Sequence, residues 1–355
     1  MICDWSAMES TASKSGLHDV TARWCQARLQ ARFDDVVLTA TVTPLQTGRF
    51  GTTGRLNLTW ARGDGPPSMI VKMASASPRT MRAARLFRTY EVEAGFYRDV
   101  AGRVDVSVAD CYFAAYEPET GSYCLLLEDI TDASHGDQLA GSSEEHALAA
   151  LTQLASLHAN TLGDDAICQL PWVRGRSPVI TSREAAAMAL RWSRHFVARL
   201  SGSLCGDIPR ALDLLSAVAP SYGGESQTGL ALLHGDFRSD NLMFRPGQAL
   251  ILDWQTAGVG AALADVTYFI GTSLADTGKP VSHDQYLSHY VGELRARGAE
   301  LDSGECWRDY RAYAFGGLIM AIVGWVMVDR APRSDAMFAA MANRAASHVL
   351  GLCRE

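Results

Sequence analysis

Three oxygen-bearing side chains lie close together in the segment LLHGDFRSDNLMFRPGQALILDWQ, residues 232–255. Asp236 and Asn241 are five residues apart on a compact loop, and Asp253 follows the second of two short apolar runs, LMF and LIL, joined by the turn RPGQ. A carboxylate and a carboxamide across a tight loop, faced by a carboxylate from an adjoining hairpin, suit oxygen-ligated Mg2+ ions and an attacking hydroxyl. That is the residue chemistry of phosphoryl transfer. Asp240, four residues after Asp236, has the same chemistry and reads as a solvated acid.

Phosphoryl transfer also needs cationic and backbone groups for a polyphosphate. Lys72 lies inside the apolar run MIVKM, where an unpaired ammonium would be costly to bury, so it needs an acidic partner. The helical stretch that follows offers Glu91 and Glu93, and helix periodicity does not separate two residues that are two apart. Gly48, Gly51 and Gly54 in TGRFGTTGR allow backbone amides to approach phosphate, although the spacing departs from GxGxxG and a plain hairpin turn accounts for it equally well.

The elements that must position these groups fall into two sets. Residues 36–46, 55–60 and 69–73 are β-branched, alternating or apolar and read as strands. Residues 79–101 show helical periodicity with Ala84, Phe87, Tyr90 and Ala94 on one side, and 111–116 and 123–128 read as two more strands around the turn EPETGS. From Ser142 onward the pattern is mainly helical, opening with a Ser-x-x-Glu capping box and continuing over about 183–200, 208–219, 284–298, 305–329 and 334–353. The island 231–253 interrupts it, and an irregular, strand-containing island in a helical region is where a site is expected.

Composition limits the partners. The 355 residues are 48% hydrophobic and 20% charged, enough to bury a large core, which argues against wholesale disorder. A net charge of -7 offers no general attraction for phosphate backbones or anionic lipid, so neither nucleic acid nor membrane is an expected partner. The apolar stretch Ala312–Val328 falls short of the roughly 20 residues that span a bilayer and reads as a buried helix. Eight scattered cysteines without CxxC pairs, and an N-terminus without a targeting pattern, point to a reduced, cytoplasmic protein.

Together, HGDFRSDN, LDWQ, ADVTYF, VKM and LLLEDI resemble the aminoglycoside phosphotransferase and choline kinase family, small-molecule relatives of the protein kinases, and within it the ecdysteroid-kinase-like branch. The resemblance spans about Val42 to Leu274. It implies that Asp236 accepts the proton of, or orients, the substrate hydroxyl and that Asn241 and Asp253 hold Mg2+. It also implies that Glu93, in EAGFY, holds Lys72 against the phosphates of ATP. Arg238 stands where protein kinases place a lysine near the transferred phosphate, and a salt bridge to a neighbouring acid is the alternative. Glu128, Asp129 and Ile130 would form the hinge that pairs with adenine. His158 and His234 are implied to be structural, and Asp265 to brace the loop backbone.

These readings commit the chain to an α+β, protein-kinase-like fold. Residues 1–129 are expected to form a small antiparallel sheet with one long helix, which binds nucleotide, and 130–355 a larger, mostly helical lobe. The expected activity is ATP- and Mg-dependent phosphorylation of a small hydroxyl-bearing molecule: metabolite, antibiotic, sterol or hydroxyacyl thioester. A catalytically inactive nucleotide-binding relative is the alternative. The acceptor, the choice between ATP and GTP and the oligomeric state are left open.

Overall fold

A computed structural model describes residues 16–45, 50–278, 281–328 and 331–353. By internal contacts these form two compact units, one running up to Gly102 and including Val108–Asp132, the other combining Arg103–Ser107 with the chain from Ala133 onward.

The first unit contains α1 (Ala22–Leu29), β1 (Val37–Leu45), β2 (Gly51–Trp60), β3 (Ser68–Ala74), α2 (Pro78–Leu86), α3 (Thr89–Asp99), β4 (Cys111–Glu117) and β5 (Ser122–Glu128). Its five strands form one antiparallel sheet in the order β1-β2-β3-β5-β4. Alternation along β3 buries Met69, Val71 and Met73 in a core with Cys25 and Leu29 of α1, Leu56 and Leu58 of β2, and Leu126 of β5. Ile70, Lys72 and Ala74 therefore face the opposite side, by the period of two that strands impose.

The expected single long helix is two. Arg88 adopts a left-handed conformation (φ 54°) between α2 and α3, which breaks the helical path. Its guanidinium makes two 2.9 Å hydrogen bonds to the Glu91 carboxylate, so the residue that interrupts the helix also pairs with an acid in the first turn of the next one. α1 is a further element the sequence reading lacked. Its N-cap Thr21 accepts a hydrogen bond from Trp24 N at 3.2 Å.

The second unit contains β6 (Ser134–His135), α4 (Glu144–Thr161), α5 (Asp165–Cys168), α6 (Arg183–Leu200), α7 (Ile208–Val218), β7 (Leu230–Leu233), β8 (Leu242–Arg245), β9 (Gln248–Ile251), β10 (Gly258–Ala261), α8 (Ala262–Ser273), α9 (His283–Ala296), α10 (Ser303–Ala312), α11 (Gly316–Met327) and α12 (Pro332–Leu352). α4 begins one residue later than the capping box implied. Ser143 is the cap, accepting from His146 N, while Ser142 Oγ lies 2.8 Å from Ser239 Oγ. The stretch read as one helix over 305–329 is split at 313–315 into α10 and α11. Taken together, Ser303–Met327 has the length and composition of a membrane span, with 72% of its apolar window buried inside the protein.

α8 is buried at every position from Ala262 to Ser273, and α4, α11 and α12 pack around it. Strands of the island 231–253 enter two small antiparallel sheets, β7 with β10 and β8–β9 with β6, and the loop between β7 and β8 is tied to α8 through Asp265. The seven described cysteines are all free thiols.

Candidate active site

In the second unit the loop between β7 and β8 carries His234 to Asn241, and its shape is set from below. Gly235 has φ +79°, and a Cβ there would sit 2.5 Å from the Thr256 carbonyl oxygen, so only glycine fits. The fully buried Asp265 of α8 accepts from His234 N at 2.6 Å and Gly235 N at 3.0 Å. His234 Nε2 lies 2.9 Å from the Leu252 carbonyl oxygen, which ties the loop to the residue before Asp253. Two buried amides next to the turn are thereby satisfied, which fixes the backbone from which Asp236 projects.

Asp236 sits among donors. Tyr268 Oη donates to Oδ1 at 2.8 Å, Arg238 Nε lies 3.2 Å from each carboxylate oxygen, and Asn241 Nδ2 donates to Oδ2 at 3.1 Å and to the Asp236 carbonyl at 2.8 Å. Spending Nδ2 on Asp236 leaves Asn241 with its Oδ1 as the oxygen available to a ligand. Across the β8–β9 hairpin Leu242 pairs with Ile251, and Leu252 N donates to the Asn241 carbonyl at 2.9 Å, which brings Asn241 and Asp253 to the same end of the hairpin. Asp253 adopts φ 63° and accepts from Gln255 Nε2 at 3.2 Å. A carboxylate residue in the left-handed region is uncommon and is often found where function constrains the backbone.

Among the described residues no group of three or more His, Cys, Asp or Glu forms a metal cage. One carboxamide oxygen and one carboxylate nevertheless fit Mg2+, which is commonly held by one or two protein oxygens with phosphate and water completing its octahedron.

Of the two readings of Arg238, a contact with the transferred phosphate or a salt bridge to a neighbouring acid, the structure shows the salt bridge. The side chain is buried, with Nη1 2.8 Å from Asp240 Oδ2, Nε on Asp236, and the sulfur of Met337 3.5 Å away. Burial lowers its pKa, but the charges of Asp236, then Tyr268 and Asp240, outweigh that and raise it, so the guanidinium stays charged. It is therefore held between the carboxylates of Asp236 and Asp240. Asp240 is correspondingly not a solvated acid: it holds Arg238 and accepts from Gln138 N at 2.8 Å.

In the first unit Lys72 Nζ lies 2.5 Å from Glu93 Oε1, and Tyr123 Oη donates to Glu93 Oε2 at 2.5 Å. Glu91 is taken by Arg88, so the two candidates for the lysine's partner are separated by structure where periodicity could not separate them. Tyr123 stacks on Tyr90 with centroids 4.6 Å apart, which backs the carboxylate with aromatic rings. Tyr90 Oη in turn hydrogen bonds to the Phe50 carbonyl and accepts from Ser75 N at 2.9 Å.

Gly51 opens β2, and a Cβ there would come within 2.6 Å of the Met73 carbonyl oxygen; Gly48 lies outside the described residues. At the proposed hinge, Glu128 exchanges hydrogen bonds with Asp110, its N donating at 2.8 Å and its carboxylate accepting at 3.2 Å. The Asp129 carboxylate is committed to Arg55 at 2.8 Å and Ser68 at 2.7 Å, and Ile130 is buried. The Glu128 and Asp129 side chains are thus engaged within the protein.

Sequence reading missed Tyr268 and Gln138. Tyr268 lies inside ADVTYF, three residues after Asp265, and that one-turn spacing was its available signal. Gln138, fully buried, accepts from Ser239 N at 2.9 Å and donates to the Thr272 carbonyl at 2.7 Å, and nothing in its local sequence marks it.

A family model described as the phosphotransferase enzyme family matches residues 47–301. The fold is similar to that of a Ralstonia eutropha protein assigned as an aminoglycoside phosphotransferase, with TM-score 0.57, 18% identity and 94% and 97% of the two chains covered. It is also similar to choline kinase from Cryptosporidium parvum Iowa II, with TM-score 0.53, 11% identity and 89% of each chain covered. A third similar structure is a thermostable mutant of aminoglycoside phosphotransferase APH(4)-Ia in ternary complex with AMP-PNP and hygromycin B, with TM-score 0.50, 17% identity and 92% and 97% covered. The fold is therefore protein-kinase-like. Among curated sequences, acyl-CoA dehydrogenase family member 11 of Gallus gallus is 28% identical over 226 residues, 61% of this chain and 26% of that protein. Acyl-CoA dehydrogenase IBR3 of Arabidopsis thaliana is 32% identical over 83 residues, 22% of this chain and 10% of that protein. The chain thus spans between about a tenth and a quarter of the curated relatives it matches.

Proposed function

Because the chain belongs to the phosphotransferase enzyme family, we propose that it transfers the γ-phosphate of ATP, with Mg2+, to the hydroxyl of a small molecule, and that a hydroxyacyl-CoA is the acceptor class. The loop geometry carries the reaction type: Asp236 is held by Tyr268, Arg238 and Asn241, with Asn241 and Asp253 at one end of a hairpin. The acceptor class is supported by the two curated relatives named for acyl-CoA, and the nucleotide by the AMP-PNP held in a structurally similar aminoglycoside phosphotransferase. The branch of the family is left to the acceptor.

On this reading Asp236 orients the acceptor hydroxyl and takes its proton as the oxygen attacks the γ-phosphorus. The new O–P bond forms as the bond to the ADP oxygen breaks. Asn241 and Asp253 would hold Mg2+, which when bound neutralises charge on the phosphates. Lys72, fixed by Glu93, supplies a cation for the nucleotide phosphates, and Arg238 keeps Asp236 in place. Most of the acceleration then comes from positioning and charge stabilisation.

The test is ADP release from ATP across hydroxyacyl-CoAs, amino alcohols, amino sugars, macrolides and sterols, each repeated with Asp236→Asn. Turnover with hydroxyacyl-CoAs that the variant lowers at least about 100-fold supports the reading. Tight nucleotide binding without turnover of any alcohol would favour an inactive relative, and turnover of amino sugars alone would overturn the acceptor class.

A further inference from the structure

α8 grips the loop at two points one turn apart. Asp265 holds the backbone amides of His234 and Gly235, and Tyr268, three residues on and so on the same face, reaches the carboxylate of Asp236 with its hydroxyl at 2.8 Å. Tyr268 is fully buried, in a helix buried at all twelve positions, so close packing restricts its ring. Arg238, itself tied to Asp240, and Asn241 reach Asp236 from its own loop. Tyr268 is a hydrogen-bond donor to this carboxylate from a buried helix outside the loop.

We propose that Tyr268 is a positioning residue for phosphoryl transfer, its hydroxyl locking the Asp236 carboxylate in the orientation that meets the acceptor hydroxyl. The inference rests on the role given to Asp236 above. Phenylalanine fills nearly the same volume, and the loop backbone is separately braced by Asp265. What the hydroxyl adds is direction. A group that must lie within a few tenths of an ångström of its reactive position loses rate steeply when it gains rotational freedom, and a misplacement of about 1 Å can cost roughly 100-fold.

The test compares wild type, Tyr268→Phe, Asp236→Asn and the double variant, with kcat referred to folded protein by circular dichroism. Tyr268→Phe should lower kcat about 10- to 100-fold and leave the KM values for ATP and acceptor within about two-fold. In the Asp236→Asn background the same change should alter the residual rate by less than about two-fold, because the hydroxyl acts through the group already lost. A purely structural tyrosine would lower the melting temperature without changing kcat per folded molecule. Unchanged kcat in Tyr268→Phe, or losses that multiply in the double variant, would overturn the proposal. Equal rates for wild type and Asp236→Asn would instead remove the role of Asp236 itself, so the two failures are separable.

Discussion

Glu93 divides its carboxylate between two donors, Lys72 Nζ on one oxygen and Tyr123 Oη on the other, each at 2.5 Å. The lysine side chain is about one-fifth exposed and the glutamate 5% exposed, so the carboxylate is the more deeply desolvated member of the pair. A cation fixed by a buried acid that also has a second donor is pre-positioned for an anionic ligand.

Lys72→Ala is therefore expected to lower kcat/KM for ATP by roughly 10- to 1000-fold while the acceptor KM changes little. Glu93→Gln should produce a smaller kinetic loss and a larger stability loss, up to about 3 kcal/mol, because it removes the buried partner of a charge. Steady-state kinetics with denaturant unfolding checks both. An unchanged kcat/KM for ATP in Lys72→Ala would reject the assignment.

Asp253→Asn is expected to raise the Mg2+ concentration needed for half-maximal rate by at least about 10-fold, as loss of a carboxylate ligand should. Metal titration at saturating nucleotide reads this directly. The fold should survive, since asparagine also tolerates the left-handed conformation seen at φ 63°. An unaltered metal dependence would take Asp253 out of the metal site.

His348 lies in the interior of the second unit beside His283 and Tyr310, with Thr267 Oγ1 3.0 Å from its Nε2. Burial, with the charge of His283, lowers its pKa from 6.5 to about 3. The folded state thus resists a proton that the unfolded chain accepts below about 6.5, and the stability held above that value is lost as the pH falls towards about 3, by at most about 1.4 kcal/mol per pH unit. His348→Gln should lessen the fall in unfolding free energy between pH 7 and pH 5. Parallel pH profiles for the two proteins would contradict this.

How far the sequence foretold these features depended on what each residue's neighbours reveal. Lys72 was legible because an ammonium in MIVKM has no apolar explanation, and Asp236, Asn241 and Asp253 because a tight loop and hairpin fix where they point. Glu91 and Glu93 were not separable by period alone; the left-handed Arg88, which draws Glu91 away, is a tertiary outcome. α8 escaped notice because a helix buried on all sides shows no amphipathic stripe. Asp240 read as solvated because sequence does not show that Arg238 turns inward. Tyr268 was hidden for the same reason: its partner is 32 residues away, and only the packing of α8 under the loop joins them.

The central claim is tested most directly by following the γ-phosphorus itself. Phosphorus NMR of wild-type enzyme with ATP, Mg2+ and a hydroxyacyl-CoA should show a new phosphate monoester growing in step with ADP, and Asp236→Asn at equal folded concentration should form it at least about 100-fold more slowly. ADP and free phosphate without any monoester, or a monoester formed equally fast by Asp236→Asn, would contradict the account.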